Sequence, residues 1–167
     1  MIRKNLRHSL FFIPFVVLAC FFFISCQQGE VYSHYYEMKN AEWTQENILA
    51  FEIDSASLRP GRKYDVSLEI TNNVNYKYRN IWLFIRTNFS YDSVYVDLNK
   101  EYELADEFGK WYGSGFGSLF QSSFPLFEDV VFESGKSYTI GIQQGMRDEQ
   151  LEGIEKVGIK VSLAQRR

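Results

Sequence analysis

The chain has 167 residues, 18 Lys/Arg against 21 Asp/Glu, a formal charge of −3, and 17% Phe, Trp and Tyr. That length is enough for one domain with a real core, and the acidic balance argues against electrostatic binding of nucleic acid. Two cysteines and two histidines leave little material for a disulfide framework or a metal site.

Residues 1–25 stand apart. Arg3, Lys4 and Arg7 form a basic start, residues 10–24 an apolar run, and Ser25-Cys26 follows. The run is about 15 residues, short of the ~20 a helix needs to span hydrocarbon, so the segment reads as a signal peptide. Phe23-Ile24-Ser25-Cys26 resembles a bacterial lipobox, with Phe where Leu is usual. The resemblance implies cleavage before Cys26 and a diacylglyceryl group on its sulfur. Cleavage would leave 142 of the 167 residues, with 15 Lys/Arg, the same 21 acids and a charge of −6. Cys20 would go with the leader and Cys26 would be acylated. No disulfide, no cysteine-based metal site and no cofactor are then expected.

Residues 26–30 read as a short polar spacer, and residues 31–167 as a single β-sandwich domain. Residues 31–38 (VYSHYYEM) have the aromatic and β-branched content of a strand, and residues 48–53 (ILAFEI) resume it after an interruption around Trp43. Pro60-Gly61 marks a turn. Beyond it, Tyr64, Val66, Leu68 and Ile70 alternate with Asp65, Ser67, Glu69 and Thr71, the pattern of a sheet with one face buried and one wet. Residues 72–80 read as a connection. Residues 81–87 (IWLFIRT) are nearly all apolar and predict a central strand buried on both faces. Residues 93–98 alternate again, and Tyr102 with Leu104 form another short strand.

Residues 104–120 (LADEFGKWYGSGFGSLF) interleave large aromatics with glycines and predict a long shaped loop. They make no phosphate cradle, because Gly109-Lys110 lacks the following Ser/Thr and Gly113-Ser-Gly115-Phe-Gly117 misses the GxGxxG spacing. Residues 129–132 and 137–143 predict a hairpin, residues 144–155 a short helical piece at most, and residues 157–163 a closing strand. About eight strands separated by turn signals predict an all-β, antiparallel, jelly-roll-like sandwich.

Catalysis finds little support. Without the leader, His34 is the remaining histidine, and it lies in an aromatic strand with no G-x-S-x-G elbow elsewhere. Asp106-Glu107 and Glu128-Asp129 flank the aromatic loop and are the one candidate for paired carboxylates. No D-x-D-x-D run suggests calcium. Trp111, Tyr112 and Phe116, with Arg147, are candidates for a partner-binding surface, since such residues dominate interface hot spots. The same aromatics, with Tyr76 and Tyr78, are candidates for stacking on a glycan.

In order along the chain, the lipobox start, VYSHYYEM, YDVSLEITNNVNYKYRNIWLFI, EYELADEFGKWYGSGFGS, QQGMR and LEGIEKVGIKV closely resemble the GldH family of gliding-motility lipoproteins from Bacteroidetes. That family's central block reads close to ADPDGKWLGKGFGS. Here Glu107-Phe108 stand for Pro-Asp, and Tyr112 and Ser114 for Leu and Lys. The resemblance implies a non-catalytic lipoprotein of the cell envelope, held through Cys26 to a membrane, in first place the outer one. It also implies partners in the gliding or type IX secretion apparatus. A surface glycan-binding lipoprotein is the alternative.

Overall fold

A computed structural model describes residues 29–91 and 94–165; the leader and Cys26 lie outside them. The described residues form ten strands: β1 (Glu30–Glu37), β2 (Glu42–Thr44), β3 (Leu49–Asp54), β4 (Lys63–Asn73), β5 (Asn80–Tyr91), β6 (Val94–Glu103), β7 (Leu119–Val131), β8 (Ser137–Gln144), β9 (Gln150–Glu152) and β10 (Ile154–Leu163). Pairing joins β1 to β10, β2 to β9, β3 to β8, β4 to β7 and β5 to β6, always antiparallel. The described strands therefore form one long hairpin, folded back on itself between β5 and β6. Rolling that hairpin brings β10 beside β4 and β8 beside β5. The result is two four-stranded sheets, β1-β10-β4-β7 and β3-β8-β5-β6, with β2-β9 as a ribbon between them. This is a jelly roll.

The rolled hairpin closes because inward residues alternate. Leu49, Phe51 and Ile53 on β3, Val66, Leu68 and Ile70 on β4, Ile140 and Ile142 on β8, and Val157, Ile159 and Val161 on β10 meet in one core. Each such side chain contributes about 2 kcal/mol by leaving water. The ribbon seals one end: Trp43 faces Leu151 across it, both buried, and the indole N–H donates to the Asn47 carbonyl at 2.9 Å.

Four sequence expectations change. β5 is central, yet buried on one side only. Ile81, Leu83 and Ile85 point into the core, while Trp82, Phe84 and Arg86 face outward and exposed. β7 starts ten residues before its predicted hairpin strand. Its alternation is broken by register shifts opposite Tyr64–Ser67 and by Pro125, which an edge strand tolerates. Residues 144–155 form no helix but a turn and β9, a strand too short to show a period. Tyr102 belongs to one continuous β6.

The topology gives the molecule two poles. At the first, Gly29 enters beside Leu163, whose N–H donates to its carbonyl at 2.8 Å, next to the start of β4 and the end of β7. At the second lie the β4–β5, β6–β7 and β8–β9 connections and the ribbon. The longer sheet strands, of eight to thirteen residues, hold the poles roughly 30 Å apart at about 3.3 Å per residue.

Candidate functional site

Residues 104–118, the β6–β7 connection, cap the second pole as two successive tight hairpins. In the first, the Asp106 carboxylate accepts from the N–H groups of Phe108 (2.9 Å) and Lys110 (2.8 Å). The Asp106 N–H donates to the Lys110 carbonyl, and Ala105 pairs with Trp111. An aspartate that bonds the backbone two residues on is a turn-former, and here it lifts Phe108 to the tip. In the second, Ser114 and Gln121 exchange both backbone hydrogen bonds, at 3.0 and 2.8 Å. Gly113 and Gly115 let those arms close: a Cβ would stand 2.8 Å from the Gln121 carbonyl oxygen at the first and 1.8 Å from that of Leu119 at the second. Phe116 is left at the tip. Phe108 is 87% exposed and Phe116 95%.

The base of this loop is fixed to the fold. Arg79 accepts from both Leu104 and Ala105 through its carbonyl oxygen. Trp111 is half-buried, with its ring against Tyr76 (6.2 Å) and Phe120 (5.8 Å). Tyr76 is buried; its hydroxyl donates to the Asn80 carbonyl at 2.8 Å, and burial pushes its phenol above the ordinary value. Tyr78 lies edge-on to Tyr76 at 5.9 Å. A hydrogen bond to the Asp148 carboxylate, with burial as the second cause, raises the Tyr78 phenol. Arg147, exposed, neighbours Asp148. Thus Trp111 and Arg147, far apart in sequence, are joined at one pole through Tyr76, Tyr78 and Asp148.

Of the sequence candidates, Tyr112 and Phe116 offer exposed rings, Arg147 offers an exposed cation near Tyr78 at the same pole, and Trp111 is the anchor rather than the tip. Tyr76 presents no face to a sugar. Phe108 was not among the candidates, although the Asp106-x-x-Gly109 turn that exposes it is visible in the chain. The two acid pairs do not meet: Asp106-Glu107 sit at the second pole, and Glu128-Asp129 lie at the far end of β7, where Lys63 pairs with Asp129 at 3.3 Å. About nine residues of extended strand, roughly 30 Å, exclude them as a hydrolytic dyad. His34 is at the β1 edge, its ring edge-on to Tyr36 and Phe51.

Fold and site together define a jelly-roll sandwich that presents an ordered aromatic loop at one pole. The chain belongs to the GldH lipoprotein family, whose family model matches residues 30–161. It is 31% identical over 160 residues, covering 92% of this chain and 96% of the relative, to a protein named gliding motility lipoprotein GldH homolog from Christiangramia forsetii. It is 29% identical over 153 residues, 87% of this chain and 92% of the relative, to gliding motility lipoprotein GldH from Flavobacterium johnsoniae. Membership of a lipoprotein family gives the protein a lipid-anchored place in the cell envelope.

Proposed function

We propose that this protein is a non-catalytic assembly component of the gliding or envelope machinery, tethered through Cys26 to the outer membrane and linked to the type IX secretion apparatus. The observation that carries this reading is polarity. Cys26 precedes Gly29 by three residues, about 10 Å of chain, so the lipid holds the first pole against the bilayer. The double hairpin with Phe108, Tyr112 and Phe116 is then held out at the second pole, away from the membrane. Two fully presented phenylalanines on a rigid loop are a contact surface in search of a partner, and tethering raises their effective concentration for partners at the same membrane. The separation of the acid pairs and the names of the relatives support a binding rather than a catalytic role.

The test is a pull-down of the acylated protein from crosslinked native envelopes, with Phe108→Ala/Phe116→Ala and Cys26→Ala beside it. Gliding or secretion-system components should co-purify with the parent protein and be lost from both variants, with the melting temperature of the Phe variant unchanged. An identical set of partners on the Phe variant would remove the loop from the interface. Their absence from the parent protein would remove the assembly role.

A further inference from the structure

The outward side of the second sheet carries a second surface, built from residues the loop does not use. Along β5, Trp82 and Phe84 are 43% and 47% exposed on successive outward positions, about 7 Å apart along a strand. Arg86 follows, its guanidinium 5.0 Å above the Tyr95 ring and its Nε 3.8 Å from Asp97. Cross-strand neighbours set polar groups on both sides of this row. Asn99 and Gln143 flank Phe84, and Asp97 and Gly141 flank Arg86. Gly141 has no side chain to fill its place, and a groove of about 560 Å³ opens there between Ile48, Phe84 and Tyr95.

We propose that this groove binds a neutral oligosaccharide. An extended peptide gains its affinity from main-chain pairing at a free sheet edge, and here the backbone of β5 is already bonded to β6 and β8. A sugar needs something else. Its C–H faces stack on exposed rings, and its hydroxyls need side-chain donors and acceptors beside those rings, which Asn99, Asp97 and Thr139 supply. Charge narrows the class. Asp97 lines the groove, and Glu101 and Glu52 follow on neighbouring outward positions, opposite Trp82 and Thr139, against Arg86 alone on these outward rows; Arg86 already faces Asp97, so uronate or phosphate polymers meet like charge. The inference rests on residues distinct from the loop and stands or falls apart from the assembly role.

The experiment is affinity electrophoresis of the full-length acylated protein in detergent. Gels hold dextran, laminarin, mannan, xylan or glucomannan as neutral probes, and alginate or polygalacturonate as acidic ones. At least one neutral polymer should retard the protein and neither acidic one should. Phe84→Ala and Trp82→Ala should each weaken the retardation about tenfold or more. Gly141→Val should do the same without removing a ring, since a Cβ there meets nothing closer than 3.7 Å and the added methyls fill the groove. Phe116→Ala should leave binding intact. Retardation by no neutral polymer, equal retardation by the acidic ones, or binding indifferent to the two groove variants and to Trp82→Ala beside them would overturn the proposal. So would self-association or crosslinking to a protein partner that the groove variants abolish.

Discussion

Each sheet carries a glycine in its second strand, and the two are used in opposite ways. Gly158 on β10 pairs with Tyr35 on one side and Glu69 on the other; Gly141 on β8 pairs with Ala50 and Arg86. At Gly158 the missing side chain is replaced by the Tyr35 ring, which would lie 2.2 Å from an added Cβ. That ring helps cover Glu69, which points outward yet is only 2% exposed. At Gly141 no described ring folds over: an added Cβ would meet Ile48 and Arg86 only at 3.7 Å, and the space becomes a groove. An outward position is thus no guide to burial. What decides is whether a neighbour lies down over it.

Glu69 is the sharpest consequence. Its carboxylate accepts from the Ser123 hydroxyl at 2.6 Å and from the Gln121 amide at 3.1 Å, with the Lys160 ammonium at 3.3 Å. Glu69→Ala leaves these three groups facing an empty site, and breaking a buried pair costs about 3 kcal/mol. Urea unfolding should show that loss, equivalent to roughly 10 °C in melting temperature. Phe84→Ala on the other face should lose well under half as much, because half of that ring is already in water. Equal losses would mean that the two faces are equally buried, and the contrast would fail.

Next come the glycines themselves. Gly158→Ala must displace the Tyr35 ring and should cost about 1–2 kcal/mol. In a Tyr35→Ala background the same change should cost only a few tenths, since the obstacle is gone; a coupling of about 1 kcal/mol or more is the signature of direct contact. Gly141→Ala should be neutral or slightly stabilising, as replacing glycine within a strand is where no atom objects. A Gly141 penalty as large as that of Gly158 would show that something covers the groove.

Much of this fold could be read from the chain, where the physics is local. Tyr64, Val66, Leu68 and Ile70 alternate, and the strand is where they put it. The jelly-roll expectation followed from counting such runs between turns. What escaped was decided by distant neighbours. Trp82 and Phe84 looked buried because an apolar run carries no sign of which side is covered; among the described residues no element packs over the outer face of β5. β7 escaped because its twist and register shifts against β4 break the period of two. The tip at Phe108 depends on one aspartate closing its own turn. The chain of contacts from Trp111 through Tyr76 and Tyr78 to Asp148 depends on β4–β5 and β8–β9 connections that only the rolled hairpin brings together.

The smallest effect tests the seam where the two sheets meet, which belongs to neither outward face. Tyr102 on β6 stacks on Phe124 of β7 at 4.7 Å. Its hydroxyl is buried with no hydrogen-bond partner among the described residues, and burial pushes its phenol up to about 12 from the ordinary 10. Between those values the unfolded chain has released this proton and the folded one still holds it. Stability therefore falls as pH rises through that window, and nothing is lost below it. Tyr102→Phe keeps the stacking and removes both the orphan hydroxyl and its titration. At neutral pH the variant should match the parent or exceed it by up to about 1 kcal/mol, and above pH ~10 its stability should fall less steeply. Part of the slope should persist, because burial also raises Tyr32 and Tyr35. If the variant instead loses about 1 kcal/mol or more at neutral pH, the hydroxyl has a partner such as a bound water. The seam would then be a polar bridge between the covered sheet and the open one.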